Sequence, residues 1–376
     1  KTAAFSADMP TTIEEVTPVG VEQSNSSVIV DNQYMVKWFR QIRPGLNPEI
    51  EIGRHLALTD YKNAPPLLGT LEAIIDGELY ALAVVQSYVG NQGDGWALTA
   101  SYLDRFLEEQ RLLEGGSEAI QNQHAGYMPR MQQIGTRLAE LHAALSRPEG
   151  DPAFEPEPMT QADLDALADR VLRSAEELQE MLQQRLPLLP DRVKPMAAAL
   201  VERRQEFIDR IARKKPADKT TSRARHHADF HLGQVMIVRD DVFLIDFEGE
   251  PSRSIEERSR KESPLRDVAG LIRSLDYAAL AAVDRVVQVI PDGAERLYAA
   301  ARQWQREATA EFLDAYRRHP DAMALHPESA AAFQEWMDFF LLEKVIYEVG
   351  YELANRPAWL HVPLIGIWNL IFPDEG

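Results

Sequence analysis

Apolar and polar residues alternate along the first part of the chain. Between Val16 and Phe39, β-branched and polar residues surround the turn-forming sequence SNSS at positions 24–27, and this pattern predicts a β-hairpin. Farther on, the apolar runs LLGTLEAII and ELYALAVVQSYV flank Asp76 and Gly77, a dipeptide that strongly favours a hairpin turn. The pattern therefore predicts two antiparallel hairpins.

A helix is predicted between these hairpins. Residues 49–58 have helical character, with Asn47 suited to the N-cap and Pro48 to the first helical position. Together, the two hairpins and this helix predict a small β-rich lobe over residues 1–89.

The remaining residues, 90–376, are predicted to form a larger and mainly helical lobe. From Ala97 onward, apolar residues recur at three- and four-residue spacing among Ala, Leu, Glu and Arg. After a loop rich in Pro and acidic residues, residues 160–184 and 189–214 predict two long amphipathic helices. The expected fold class is α+β with two lobes.

Composition narrows the classes of partner. A chain of 376 residues with 45% apolar content can bury a large core, whereas its net charge of −19 counts against nucleic acid and anionic membranes. No run approaches the roughly 20 apolar residues of a membrane span, and the opening KTAAFSADMP lacks the apolar segment of a signal peptide. The absence of cysteine excludes disulfides and thiolate chemistry. We expect a cytoplasmic protein with a small-molecule partner.

One β-rich segment interrupts the helices at residues 226–247 and carries most of the chemically suggestive residues. Asp229 lies in a loop before a predicted hairpin, Gln234 enters its first strand and Asp246 leaves its second. These three side chains are expected to converge at one end of the hairpin. Phosphoryl transfer requires a base for the attacking hydroxyl and oxygen ligands for Mg²⁺, and the same order of residues occurs in protein kinases.

The segments HADFHLGQV, IDFEGEP and SPLRDVAGLIRS resemble the maltokinases, which are aminoglycoside-phosphotransferase-like kinases with a protein-kinase-like fold. This resemblance implies transfer of phosphate from ATP to maltose, giving maltose 1-phosphate. It implies that Asp229 is the catalytic base and that Gln234, Asp246 and Glu248 hold Mg²⁺. Ala228 stands where the family has Gly, which would tighten the catalytic loop if that position requires a positive φ.

Lys37 is the candidate cation for the phosphates of ATP. It lies within the apolar strand sequence YMVKWF, where an unpaired ammonium group would be costly to bury. The following helix offers Glu49 and Glu51 as partners, and the resemblance to an NPxxEIGR motif favours Glu51.

Further nucleotide contacts are expected in two segments. The side chains and backbone at Ser24, Asn25 and Ser26 suit phosphate binding, although the same residues suit an ordinary polar turn. Residues 85–91, with Gln86 and Tyr88, are expected to form the hinge between the lobes and to contact adenine.

The acceptor residues are expected on a helix near the C-terminus. Acidic and aromatic side chains recur there in a pattern similar to the maltokinase YExxYExxNRPxW element, and they comprise Glu343, Tyr347, Glu348, Tyr351, Glu352, Asn355 and Arg356. The alternative is a helix whose tyrosines pack on the core while its acids meet solvent. His231 points either into the core or toward the sugar.

Two further residues are expected to support the catalytic loop. His227 suits a hydrogen bond to the backbone of this loop, and by resemblance to kinases Asp267 would hold the loop's backbone. Asp267 also fits an ordinary first-turn acid that favours the helix dipole.

Other functions remain open at this point. Because an acidic pocket attracts an ammonium group, another sugar or an amino sugar such as glucosamine is an alternative acceptor. His226, His227 and His231 beside Asp229 suggest a metal-dependent hydrolase, which leaves Gln234 unexplained. A pseudokinase would follow if the loop were distorted.

The beginning of the chain also prompts a hypothesis. The first residue is Lys, and few residues precede the segment that resembles the phosphate loop. We therefore expect a kinase portion of a longer chain, fused to or associated with trehalose synthase.

Overall fold

Strands dominate the first part of the chain and helices the second. The computed structural model describes residues 12–20, 25–112, 124–251, 253–289 and 293–373. The strands are β1 (Val16–Pro18), β2 (Asn25–Val30), β3 (Tyr34–Phe39), β4 (Leu67–Ile75), β5 (Glu78–Ser87), β6 (Glu157–Pro158), β7 (Ser222–Arg223), β8 (Val235–Val238) and β9 (Asp241–Leu244). The helices are α1 (Pro48–Leu56), α2 (Gly95–Leu112), α3 (Met128–Ala144), α4 (Gln161–Arg185), α5 (Lys194–Glu202), α6 (Arg204–Ala212), α7 (Ile255–Arg258), α8 (Leu265–Val289), α9 (Ala294–Arg318), α10 (Ala330–Asn355) and α11 (His361–Ile371).

Within the described residues, the N-terminal strands form one five-stranded antiparallel sheet in the order β1-β2-β3-β5-β4. The turn between β4 and β5 contains Asp76 and Gly77, as predicted, with φ angles of 53° and 85°. The first predicted turn, at residues 24–27, is wrong, because Asn25 already begins β2 and the β2–β3 turn contains Asp31 and Asn32. These two residues have φ angles of 51° and 52°, a conformation that Asp and Asn adopt more readily than most residues.

Helix α1 begins as the sequence predicts. The side chain of Asn47 accepts a hydrogen bond from the backbone N–H of Glu49, and Pro48 occupies the first turn. Ile50 and Ile52 are buried on this helix, so it is anchored by apolar packing beside the sheet.

The helical part contains the larger hydrophobic core. Helix α3 packs on α9, and α8 contacts α2, α9 and α10. The predicted helix at residues 160–184 is confirmed as α4, but the one at residues 189–214 is divided into α5 and α6 at Arg203, whose ψ of 26° is not helical. Within the described residues, none of the helices combines the length and apolar character that crossing a membrane requires.

The β8–β9 hairpin lies where the two parts of the chain meet. It pairs Val235 with Leu244, as the predicted hairpin requires. The amide of Ile237 donates to Gly93 O, and Gln92 N donates to Ile237 O, just beyond β5. The hairpin is therefore tied to the segment that leaves the sheet. The predicted division into lobes at residue 89 stays a prediction.

Close packing of α3 on α9 predicts the effect of Gly135→Ala. A Cβ at this position would overlap the backbone oxygen of Phe312 and lie 3.1 Å from Ala315 Cβ, so the helices would have to separate. We expect the substitution to lower the free energy of unfolding by about 1–3 kcal/mol, measured by chemical denaturation.

Gly350→Ala is the matched control, because Gly350 is also helical and a Cβ there would meet no atom within 4 Å. This control is expected to be neutral or stabilising by roughly 0.5–1 kcal/mol. Equal effects of the two substitutions would show that the contact at Gly135 has no special role.

Candidate active site

Asp267, near the start of α8, holds the backbone of the loop that carries Asp229. The carboxylate of Asp267 accepts hydrogen bonds from the backbone N–H groups of His227 at 2.6 Å and Ala228 at 2.9 Å, and it lies 2.9 Å from His142 Nε2. Ala228 has a φ of 68°, so the position does require the left-handed region expected for the glycine of similar kinases. The N–H of Ala228 still reaches Asp267, so this loop accommodates alanine.

Asp267 is buried, yet the pKa of its carboxyl group is lowered, so the group is ionised at neutral pH. Burial alone raises the pKa of a carboxyl group, but interactions with His226 and with His142 hold the pKa of Asp267 below its ordinary value. Hydrogen bonds to the ionised form have the same effect, and Asp267 accepts two from the backbone. A charged, rigid acceptor therefore fixes the loop.

Asp229 lines a small cavity between the loop, α8 and α10. Its Oδ1 lies 3.5 Å from Lys344 Nζ, and the same ammonium lies 2.7 Å from Glu250 Oε1. Glu343 also lines the cavity and is paired with Arg266 through two contacts of 3.0 Å. The cavity volume of about 30 Å³ accommodates water and is too small for a sugar ring.

The charges around this cavity are strongly coupled. Burial alone would raise the pKa of Glu250, but Lys344 and Arg253 lower it to about 2. Burial opposes the charge of Lys344, whereas Glu250 and Asp229 raise its pKa well above the ordinary value. Both groups are therefore ionised at neutral pH, and an ammonium group is held beside Asp229.

A second cluster surrounds Lys37 on β3. Its Nζ lies 2.6 Å from Asp246 Oδ1, 2.6 Å from Glu248 Oε1 and 3.6 Å from Glu49 Oε2. The lysine therefore joins the sheet, helix α1 and the segment after β9. Burial opposes the charge of Lys37, but the three carboxylates raise its pKa well above the ordinary value.

Neutral side chains complete the Lys37 cluster. Gln86 Nε2 donates to Glu49 at 2.8 Å, Asn25 Nδ2 to Glu248 at 2.6 Å and Gln234 Nε2 to Asp246 at 3.1 Å. Asn25 and Gln86 were predicted to contact the nucleotide, and Gln234 was predicted to hold Mg²⁺. The structure brings all three together around Lys37.

The composition of this cluster suits a magnesium ion. Glu49, Asp246 and Glu248 present oxygen atoms that lie within 4.8 Å of one another, and oxygen is the ligand that Mg²⁺ prefers. One lysine faces three carboxylates, so the cluster has an excess of negative charge. Burial, followed by the charges of Asp246 and Glu248, raises the pKa of Glu49 to about 7 despite the opposing charge of Lys37. A further cation would relieve this repulsion.

The prediction that Glu51 pairs with Lys37 is wrong. Glu49 is the helix carboxylate nearest Lys37, whereas Glu51 Oε2 lies 2.6 Å from Arg225 Nη2. Residues two positions apart on a helix point in nearly opposite directions, so only one of these acids can face the sheet. The motif comparison selected the wrong member of the pair.

The predicted phosphate-binding segment divides between the faces of β2. Asn25 is buried against Glu248, while Ser26 is exposed on the other face and its Oγ accepts from Arg40 Nε at 2.9 Å. Because neighbouring strand residues point to opposite faces, the side chain of Ser26 faces away from Asn25, and its phosphate contact stays a prediction. Ser24 lies outside the described residues. Tyr88 donates its backbone N–H to Gln33 O, and its predicted adenine contact stays a prediction.

Helix α10 places only part of the predicted acceptor set at the cavity. Glu343 and Tyr347 line it. Glu348 lies 2.8 Å from Arg273 of α8, and Glu352 pairs with Arg356 at 2.7 Å, so both acids are occupied by buried contacts away from the cavity. This side of the helix faces α8, and the acceptor roles of Glu348 and Glu352 stay predictions.

The end of α10 is farther from Asp229. Tyr351 is partly exposed and stacks on Tyr347, Asn355 donates to the backbone oxygen of Tyr351, and Arg356 ends the helix. These three residues are described, and they are not among those that line the cavity. They lie one or more helical turns beyond the cavity, and their predicted acceptor roles stay predictions.

The histidines of the loop do not converge on a metal position. His227 Nε2 lies 2.8 Å from Ile245 O, and His231 Nδ1 accepts from Gly233 N at 3.1 Å. Burial lowers the pKa of His226 to about 4 and that of His231 below its ordinary value. In the described part of the chain, only Glu49, Asp246 and Glu248 form an acidic or imidazole group that could hold a metal ion. This arrangement does not favour the hydrolase hypothesis.

Several residues of the site were not predicted. Lys344, Glu250 and Arg266 surround Asp229, and Arg225 joins the catalytic loop to α1. Lys344 lies three residues before Tyr347, so helical spacing alone would have placed the two on one face. Glu250 and Arg266 belong to the quoted motifs but carry no distinctive spacing of their own.

The raised pKa of Glu49 predicts a pH effect on stability. Between its unfolded pKa near 4.5 and its folded pKa of about 7, the folded protein binds the proton more tightly, so this residue lowers stability as pH rises. Glu49→Gln should remove that decline. We expect the free energy of unfolding, measured by urea denaturation from pH 4.5 to 7.5, to depend less on pH than in the unsubstituted protein.

Glu177→Gln is the control, because Glu177 is an exposed carboxylate in the middle of α4. An unchanged pH dependence in Glu49→Gln would contradict the raised pKa.

The chain is similar in sequence to two glucosamine kinases. A glucosamine kinase of Streptacidiphilus jiangxiensis is 27% identical over 372 residues, which cover 98% of this chain and 76% of the relative. A glucosamine kinase of Mycolicibacterium smegmatis is 23% identical over 364 residues, which cover 96% and 80%. No family model matches the chain.

One solved structure is similar in fold to nearly the whole of this chain. It is a glucosamine kinase in complex with glucosamine, ADP and inorganic phosphate, with a TM-score of 0.69, 24% sequence identity and coverage of 95% of this chain and 76% of that one. The predicted two-lobed α+β kinase fold is thus confirmed. The chain is a phosphotransferase that uses an alcohol group as acceptor.

Proposed function

We propose that the protein is an ATP- and magnesium-dependent sugar kinase whose acceptor is an amino sugar such as glucosamine. The carrying observation is the cavity beside Asp229, where Asp229 and Glu250 already surround one ammonium group, that of Lys344. An amino sugar would bring a second ammonium group to Asp229 and Glu250. The names of the two sequence relatives support the same acceptor.

Maltose, the acceptor first expected, has less support. It carries no positive charge, whereas acids outnumber cations in the lining of the cavity. The acids are Asp229, Glu250, Asp267 and Glu343, and the cations are Arg253, Arg266 and Lys344. The sequence relatives described above are glucosamine kinases, and trehalose synthase has no counterpart among them. Maltose therefore becomes a comparison substrate.

In this proposal, Asp229 orients and deprotonates the acceptor hydroxyl. Its distance of 3.5 Å from Lys344 is longer than a hydrogen bond, so one carboxylate oxygen is available to the hydroxyl. The rigid support from Asp267 keeps the carboxylate in place. Because the cavity is only about 30 Å³, the sugar enters as Lys344 and neighbouring side chains move aside.

The Lys37 cluster supplies the other half of the site. Lys37 contacts the phosphates of ATP, and Glu49 positions its ammonium group. Asp246 and Glu248, with the side-chain oxygen of Gln234, hold magnesium, which neutralises phosphate charge when bound. Asn25 and Gln86 keep the carboxylates in fixed orientations through their hydrogen bonds.

Measuring ADP release with ATP, Mg²⁺ and a panel of glucosamine, glucose, maltose and an aminoglycoside tests the acceptor. We expect the highest kcat/KM with glucosamine. A clear preference for maltose would refute the amino sugar proposal, and release with none of these acceptors would favour the pseudokinase hypothesis.

Asp229→Asn tests the base. The substitution retains shape but cannot accept the proton, so we expect kcat to fall by roughly 10²–10⁴, the usual contribution of general base catalysis. Binding of an ATP analogue, measured by calorimetry, should be unchanged because Asp229 is not part of the Lys37 cluster.

Asp240→Asn is the matched control in the exposed turn of the β8–β9 hairpin. It should retain the full rate. Full activity of Asp229→Asn would show that another group accepts the proton.

Glu343→Gln tests the charge selectivity of the cavity. Removing one negative charge should weaken the binding of an ammonium-bearing sugar more than that of a neutral one. We expect the KM for glucosamine to rise about tenfold, which corresponds to about 1.4 kcal/mol, and the KM for glucose to change little. Equal changes for the two sugars would indicate that Glu343 acts only by holding Arg266.

A further inference from the structure

A second and larger cavity lies between α8, α9 and α11, away from the Lys37 cluster. Its volume is about 230 Å³. Apolar side chains of the three helices form part of its wall. Its polar wall consists of Arg273, Asp276, Arg302, Gln305, Arg306 and Asn369.

Positive charge predominates in this wall. Arg302 and Arg306 lie one helical turn apart on α9, so their side chains neighbour each other. Within the described residues, neither guanidinium has a carboxylate at ion-pair distance, although Arg302 acts on Asp276 from farther away. Both side chains are exposed to solvent, so they can reach an anion at the mouth of the cavity. Their paired N–H groups match the oxygens of a phosphate dianion.

The inner end of the cavity has a different character. Arg273 is buried there, and its Nη1 lies 2.5 Å from Asp276 while its Nε donates to Glu348 at 2.8 Å. Its charge is therefore already compensated. Gly366 on α11 makes room for it, because a Cβ at this position would lie 2.6 Å from Arg273 Nη1.

The remaining polar groups suit hydroxyls. Asp276 offers a carboxylate, and the amides of Gln305 and Asn369 offer both donors and acceptors. The apolar wall supplies a surface for the carbon–hydrogen face of a ring. A volume of about 230 Å³ is large enough for one sugar ring with a phosphate group.

We propose that this cavity binds a sugar phosphate, with the phosphate between Arg302 and Arg306 and the sugar against Asp276, Gln305 and Asn369. The site is separate from the catalytic one, although α8 contributes to both: Asp267 and Gly270 line the first cavity, and Arg273 and Asp276 line the second. A sugar phosphate is also the product class of the proposed function, so the choice of ligand rests on that function.

The two cavities are connected by a short chain of contacts. Arg273 binds Glu348 of α10, and the preceding turns of α10 carry Glu343, Lys344 and Tyr347 of the first cavity. The sugar is proposed to lie against Asp276, which also holds Arg273 Nη1. Because a ligand at Asp276 disturbs this contact, occupancy of the second cavity is expected to weaken the hold of Arg273 on α10 and to raise the KM for the acceptor.

Calorimetric titration of the full chain with glucosamine 6-phosphate tests the site. We expect saturable binding to the unsubstituted protein and at least about tenfold weaker binding to Arg302→Ala/Arg306→Ala, a loss of about 1.4 kcal/mol. The control is Arg185→Ala/Arg213→Ala, which removes the same charge from exposed positions elsewhere. Thermal unfolding verifies that both double variants fold.

Three results would overturn the proposal. Equal affinity in all three proteins would mean that the probe binds elsewhere, for instance at the catalytic site. Equally weak binding to both double variants would show that overall charge, rather than this cavity, attracts the probe. Inorganic phosphate binding as tightly as the sugar phosphate would exclude recognition of the sugar.

The test of this binding site and the test of the kinase activity can fail independently of each other. Without added sugar phosphate, Arg302→Ala/Arg306→Ala should phosphorylate glucosamine at the unsubstituted rate. Failure of the unsubstituted protein to phosphorylate glucosamine would refute the acceptor while leaving the binding comparison intact.

Discussion

One buried ammonium group, that of Lys37, organises the candidate active site. It brings together carboxylates from three separate parts of the chain: Glu49 on α1, Asp246 at the end of the β8–β9 hairpin, and Glu248 just beyond it. Burying a lysine is favourable only when its charge is compensated, and burying three acids around one lysine leaves negative charge in excess. The sheet and the helical part therefore meet at a position where a further cation, or a proton on Glu49, relieves repulsion. This is the position proposed above for magnesium and the nucleotide phosphates.

A second set of polar contacts holds the loop of Asp229 in place. Asp267 accepts from the backbone on either side of the bond between His227 and Ala228, which stabilises a loop whose alanine has a positive φ. The cost of that conformation, on the order of 1 kcal/mol, is small compared with the hydrogen bonds that a buried carboxylate supplies. Helix α8 therefore supports the loop, and through Arg273 it also reaches α10 and the second cavity.

Electrostatics distinguish the two cavities. The first is lined by four acids and three Arg or Lys cations, and this small excess of negative charge favours a positively charged acceptor. The second is lined by three arginines, Arg273, Arg302 and Arg306, and by one acid, Asp276, which favours an anion. The ammonium group of a substrate and the phosphate group of a product would therefore be attracted to different cavities of the same molecule.

The sequence by itself determined those features that depend on local order. Asp76-Gly77 specified its hairpin, Asn47-Pro48 specified the start of α1, and the spacing of Asp229, Gln234 and Asp246 around a hairpin indicated kinase chemistry, because turns, caps and short motifs act over a few residues. Tertiary structure decided which side chains face which. The choice between Glu49 and Glu51, and the turning of Glu348 and Glu352 toward α8, depend on how helices are rotated against their neighbours. That rotation is set by long-range packing, which a local pattern does not contain.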